Sequence, residues 1–275
     1  MKKKSIFYIA AIAAAAGLSA CGGDDPTYEV KFTEPTVNVV TNRNSGVTVI
    51  SSAPSLNQYR FDLVKNKVAV DIAGLTLGEE NIAIGIEDIT LLSQSGAFQF
   101  KGGKKVGSNY DISGYSGVLY DAGVVSSFDI VTPRTSSYLV TTYPQVILFR
   151  KTSTQVVSDG NVYNWDGTVC TLKLIPSTMK ATLVLDNVNF AERMPALSGM
   201  TFDGLNIKPD GTGIDIENEK FIPTISDTPY PRYEITDFEA ELKGGDIEIS
   251  FTCMGTYDVT IKAKMQAGSS TQLGA

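Results

Sequence analysis

The tightest constraint on what this chain can fold into is a run of strict two-residue alternation near its end. In DIEISFTCM the apolar Ile247, Ile249, Phe251 and Cys253 alternate with Asp246, Glu248, Ser250 and Thr252. YDVTIKAKM continues the pattern, with Tyr257, Val259, Ile261, Ala263 and Met265 set against Asp258, Thr260, Lys262 and Lys264. That period belongs to strands with one buried and one wet face. Gly244-Gly245 and Gly255 supply the intervening turns. Most of the chain reads in the same way, which predicts an all-β protein.

The pattern also occurs twice. YDISGYSGVLYDAGVVSSFDIV, 110–131, aligns without a gap to YEITDFEAELKGGDIEISFTCM, 233–254. Tyr110/Tyr233, Ile112/Ile235, Leu119/Leu242, Ser127/Ser250 and Phe128/Phe251 are identical, and Tyr115/Phe238 is a close substitution. Upstream, KVAVDIAGLTL lies against KATLVLDNVNF, and IEDITL against FDGLNI, in the same order. Order-preserving self-similarity indicates duplication. The expected organisation is a β repeat at 46–150, a linker at 151–160, a second β repeat at 161–266 and a flexible tail at 267–275.

Each repeat contains a phase slip. Tyr233 and Ile235 share one phase while Phe238, Ala240 and Leu242 take the other, and Tyr110 and Ile112 give way likewise to Tyr115, Gly117 and Leu119. A slip of one residue implies a β-bulge, and bulges bend and coil sheets. Each repeat is therefore expected to be an antiparallel barrel or a two-sheet sandwich.

The amino-terminal segment 1–20 is laid out as an export signal: Lys2, Lys3 and Lys4, then an apolar stretch from Ile6 to Ala16, then small residues. The stretch falls short of the roughly 20 apolar residues that span a bilayer. Leu18-Ser19-Ala20-Cys21 resembles a bacterial lipobox, which implies lipidation of Cys21 by fatty acids such as palmitate and cleavage before it. Gly22-Gly23-Asp24-Asp25 is similar to the acidic stretch of surface-exported lipoproteins of Bacteroidetes-type bacteria. The two resemblances imply a lipid-anchored outer membrane protein exposed at the cell surface, with 21–45 as its lipidated tether.

MKATLVLDNVNFAERMP, PRYEITDFEAEL and FTCMGTYDVTIKAKM together resemble the calycin-like, lipocalin-type β domains of such surface lipoproteins. The resemblance implies a barrel that holds a small apolar ligand. Such folds host many functions, so the site must carry the assignment.

Loss of Lys2 to Lys4 takes 23 basic residues to 20 against 30 acidic, moving the net charge from −7 to −10. That balance argues against nucleic acid as a partner, because phosphate backbones attract basic patches. The chain has no histidine, which removes the usual near-neutral general base and every Ser-His or Cys-His arrangement. No catalytic residue and no cofactor are expected. Ser177-Thr178-Met179-Lys180 matches S-x-x-K without the companion motifs that chemistry requires. Asp210, Asp215, Glu217 and Glu219 supply hard oxygens without the spacing of a calcium loop, so no metal is expected. KGGKKVG, 101–107, reads as a mobile hairpin tip rather than an anion cradle. Cys170 and Cys253 fall on apolar phases and are either buried thiols or, should their strands be neighbours, a disulfide.

Aromatic residues give the one legible binding signal. Tyr230 sits in DTPYPRY, where the flanking prolines keep it out of a central strand. Trp165 is the second candidate, although a lone tryptophan in a β domain is more often packed. The expected function is a non-enzymatic surface module binding a small apolar ligand or a glycan, the alternative being a structural or adhesive subunit that acts through protein contacts.

Overall fold

The computed structural model describes residues 27–265 apart from 33–35, 54–56, 94–97, 107–108 and 121–122. The chain divides into two compact units between Pro144 and Gln145. The first contains β1 (Thr27–Phe32), β2 (Thr36–Asn42), β3 (Thr48–Ala53), β4 (Asn57–Asp62), β5 (Lys67–Leu77), β6 (Glu80–Ser93), β7 (Phe98–Lys101), β8 (Lys104–Val106), β9 (Asp111–Tyr120), β10 (Gly123–Val131) and β11 (Tyr138–Pro144). The second contains β12 (Val146–Ser158), β13 (Asn161–Trp165), β14 (Val169–Ile175), β15 (Lys180–Asp186), β16 (Met200–Pro209), β17 (Ile214–Phe221), β18 (Thr224–Ile225), β19 (Thr228–Pro229), β20 (Ile235–Lys243), β21 (Asp246–Cys253) and β22 (Tyr257–Met265). The expected all-β fold in two tandem domains is what is found. No helix among the described residues is long and apolar enough to cross a membrane.

In the second unit eight antiparallel strands close a barrel in the order β15-β14-β12-β22-β21-β20-β17-β16, with β16 returning to β15. Closure depends on β12. Val146 to Phe149 pair Lys173 to Cys170 of β14, and Thr154 to Ser158 pair Trp165 to Asn161 of β13. Both stretches share one register, so β13 and β14 together form one arm of a long hairpin whose other arm is β12. Asp159-Gly160 joins the arms with both residues at positive φ, the conformation of a type I′ turn.

The first unit repeats this plan. Its strands run β1-β4-β5-β6-β7-β9-β10-β11-β2-β3, with β8 added to β6. Thr27 to Phe32 pair Asp62 to Asn57, and Thr36 to Thr41 pair Ala53 to Thr48, again in one register. Thus β1 and β2 stand where β12 stands, and β3 and β4 where β13 and β14 stand. From β5 against β15 to β11 against β22 the order then matches strand for strand, and β18 adds to β16 as β8 adds to β6.

Two expected boundaries move as a result. Residues 151–160 are not a linker, because Ser153 to Val157 of β12 pair Lys262 to Asp258 of β22 in the barrel wall. Of the expected tether 21–45, residues 27–32 and 36–42 are strands of the first sheet. The segment 151–160 reads as polar because Thr152 and Thr154 are buried and satisfied internally: Thr152 Oγ1 donates to the Thr168 carbonyl, and the Thr154 and Thr168 hydroxyls lie 3.0 Å apart. The signal 1–20, Cys21 and the tail 267–275 lie outside the described residues.

The phase slips are bulges. The β20–β21 register shifts between Thr236 and Glu239, with Asp237 at φ 54°, and β9 shifts against β10 around Gly114, at φ 65°. A second pair occurs at Asp88 (φ 56°) in β6 and Gly204 (φ 69°) in β16, where each strand carries an extra residue against β5 or β15. Glycine visits this region freely and aspartate tolerates it better than most residues.

Cys170 and Cys253 are both buried and free. Their strands, β14 and β21, are separated in the barrel by β12 and β22. Burial pushes each thiol up to about 12, so neither is a reactive thiolate at neutral pH.

The bulge at Gly204 isolates a backbone effect, since a Cβ there would meet nothing within 4 Å. Gly204→Ala should lower the stability of the second unit by about 1 kcal/mol through the left-handed φ alone. Asp237→Gly should be neutral or slightly stabilising. Trp165, the only tryptophan, reports this unit in urea-unfolding fluorescence.

Candidate functional site

The second barrel is filled rather than hollow. Leu172, Leu183, Phe202, Phe238, Ile249 and Phe251 are all buried, as expected for eight strands, whose bore side chains can just fill. The Phe202 ring meets Phe238 at 5.7 Å and Phe251 at 5.4 Å, both edge to face. This is the arrangement that aromatic quadrupoles favour. The ligand-holding interior implied by the calycin-like resemblance is therefore occupied by the protein's own rings.

A line of rings leads from that core to the surface. Phe190, in the connection between β15 and β16, lies 6.4 Å from Phe251 and from Tyr257 and 6.3 Å from Tyr233. Tyr233 in turn lies 6.3 Å from Tyr230. Phe190 is buried, whereas Tyr230 is 41% exposed. The core thus continues through Phe190 and Tyr233 into an aromatic platform at the rim.

The loop holding Tyr230 is tied at both ends. A turn at Ser226-Asp227, both at positive φ, joins β18 to β19, and β18 is anchored by Met200 and Thr201 of β16. The Tyr230 N–H donates to the Pro223 carbonyl at 2.9 Å, and the Tyr230 carbonyl accepts from the Tyr233 N–H at 2.9 Å in a short 3₁₀ turn. Pro229 and Pro231 fix φ on either side. Arg232 and Ile222 are exposed on the same loop, and Glu234 is paired with Lys220 at 2.8 Å.

Trp165 is placed differently. At the end of β13 its Nε1 donates to the Asn187 carbonyl at 2.8 Å, and its ring lies over Gly167, where a Cβ would come within 2.6 Å of it. The Asn187 amide donates to the Gly167 carbonyl at 2.9 Å, completing a clamp. Packing accounts for Trp165.

The remaining candidates are accounted for by local contacts. Ser177 and Thr178 lie in a 3₁₀ turn, and the Lys180 amine bonds Asn206 Oδ1 and the Gly204 carbonyl. Asp210 closes its own turn through the Thr212 and Gly213 amides, and Glu217 pairs with Lys208. Burial, then the charges of Asp210, Glu241 and Glu217, raises the Asp215 carboxyl above its usual range. Among the described residues no group of three acidic or cysteine side chains is placed to hold a metal. Within 101–107, Lys101 ends β7 and residues 104–106 form β8, so the segment belongs largely to the sheet rather than to a mobile tip. Lys105 engages Asp111 and the Tyr110 carbonyl.

No family model matches the chain, and no curated protein matches it in sequence. Among solved structures, similarity is found to an outer membrane protein, provisionally so named, of Bacteroides fragilis: 12% identity over 88% of this chain and 97% of that one, TM-score 0.33. Transferrin binding protein B of Neisseria meningitidis is similar at 8% identity over 88% and 76%, TM-score 0.26. The same-named protein of Haemophilus parasuis is similar at 9% over 90% and 77%, TM-score 0.24. These distant likenesses assign no residue a role.

Phe190 is the stopper between rim and core. Phe190→Ala should cost about 3 to 4 kcal/mol by leaving a cavity among Tyr233, Phe251 and Tyr257, measured by urea denaturation followed at Trp165. The variant should also bind an apolar dye such as ANS more strongly than wild type.

Proposed function

We propose that this protein is a non-enzymatic, lipid-anchored surface module that binds a glycan at the Tyr230 platform. The carrying observation is a half-exposed tyrosine ring held rigid by flanking prolines and backbone hydrogen bonds, and backed by a second ring that runs into the core. A sugar presents an apolar C–H face that stacks on such a ring. A platform ordered before binding avoids the entropy of ordering it afterwards. The filled interior disfavours a small apolar ligand inside the second barrel. The lack of histidine and the internal engagement of Lys180 favour binding over catalysis.

The alternative, a structural or adhesive subunit, draws support from β3 and β13. Both end their sheets' paired strands without a charged residue or proline, and Val49 and Val162 are exposed on them. Such edges invite strand addition.

Tyr230→Ala should weaken binding to a glycan from a neutral-oligosaccharide panel at least about tenfold, roughly the 1.4 kcal/mol of one aromatic contact. Its melting temperature should be unchanged. Equal binding by wild type and variant would remove Tyr230 from the site, and turnover of a hydrolase substrate that survives repurification would end the non-enzyme reading. For the anchor, wild-type cells should incorporate labelled palmitate into the protein and fractionate it with the outer membrane. Cys21→Ala should lose both properties, because stable anchoring needs more than one acyl chain.

A further inference from the structure

The duplicated plan allows the corresponding ends of the two sheets to be compared position by position. Tyr110 enters β9 as Tyr233 enters β20. In the second unit the connection between β15 and β16, residues 187–199, drops Phe190 against Tyr233 and plugs the mouth. In the first unit the equivalent connection is only Gly78-Glu79, and the position aligned with Phe190 carries the smaller, also buried Leu77. A concavity of about 420 Å³ remains beside Tyr110, lined also by Glu80, Asn81, Ile82, Asn109 and Arg134. That volume lies within the range of small-ligand sites, roughly 300–1,000 Å³.

The lining is organised. The Glu80 side chain is only 18% exposed, and Thr132 Oγ1 donates to its Oε2 at 2.8 Å. Thr132 is itself buried and accepts from the Thr135 and Arg134 amides. Arg134 Nε stands 3.8 Å from Glu80 Oε1, beyond hydrogen-bond length, so that oxygen keeps acceptor capacity. The Tyr110 hydroxyl is committed to the Val106 carbonyl at 2.7 Å and the Gly85 N–H at 3.0 Å. What Tyr110 can offer a ligand is therefore its ring, next to Ile82.

We propose that this concavity at the end of the first sheet is a second binding site, for an uncharged sugar. Vicinal hydroxyls both donate and accept, and planar carboxylate and amide groups such as those of Glu80 and Asn81 pair with them two at a time. Tyr110 and Ile82 receive the apolar C–H face. Glu79 and Glu80 outnumber Arg134, and the chain is acidic as a whole, so an anionic ligand is disfavoured. The site extends the binding reading to the other lobe and does not use Tyr230.

The test is isothermal titration calorimetry of the mature chain with maltohexaose, cellohexaose and mannohexaose, with an oligogalacturonate and a chitosan hexamer as charged controls. At least one neutral hexaose should bind wild type at two sites per chain, and Glu80→Ala and Tyr230→Ala should each retain one. Asn81→Ala should weaken the first-lobe site at least tenfold, with an unchanged melting temperature in all variants. A single wild-type site that Glu80→Ala and Asn81→Ala leave intact and Tyr230→Ala removes overturns the first-lobe site and keeps the Tyr230 platform. A single site with the opposite response keeps the first-lobe site and overturns the platform. Tighter binding of either charged oligosaccharide at the Glu80 site overturns the uncharged-sugar assignment, and no binding of any neutral hexaose overturns both sites.

Discussion

Closure of the second unit's barrel by one long antiparallel hairpin, whose plan the first sheet repeats, is the constraint on which the rest of this structure depends. An open sheet of this length leaves two rows of unpaired backbone groups. In the second unit β12 removes most of that liability by giving its first half to β14 while its second half pairs β22 on one side and β13 on the other. The bulges at Gly204 and Asp237 supply the bend that lets β16 and β20 follow the curve. Once the ring is closed, alternate residues of every strand are committed to the bore, and the aromatic core follows from their size.

The duplication and the bulges were legible because both leave marks in local alternation: a slip at Gly114 and Asp237 reverses the phase of every later apolar residue in the strand. The strand through 151–158 was hidden for a physical reason. Its inward positions Thr152 and Thr154 are polar and are satisfied by Thr168, so no apolar alternation marks them. With that strand unread, each repeat was expected to begin one strand late. Tyr230 was legible from its prolines. Its backing by Tyr233 and Phe190 was not, since β-sheet pairing brings Phe190 in from some forty residues away.

After duplication the two interiors diverged along matched registers. The facing pair Ser126 and Thr142, bonded at 2.8 Å in the first unit, corresponds to Ile249 and Ile261 in the second. Tyr115 corresponds to Phe238. One unit thus keeps a bonded polar pair at this layer and a concave rim beside Tyr110, while the other has an isoleucine pair there and a rim crowned by tyrosines. On the reading proposed above, matched scaffolds with unequal rims put recognition on loops that can change without disturbing the long hairpin of each unit.

That claim is tested most directly by hydrogen–deuterium exchange of the mature chain with and without a saturating oligosaccharide ligand. Protection confined to the rim segments, 222–234 in the second unit and 79–82 with 132–134 in the first, is the predicted result. New protection or exposure in the barrel strands β14, β15 and β21, with the rim segments unchanged, would place the ligand in the bore and contradict the account.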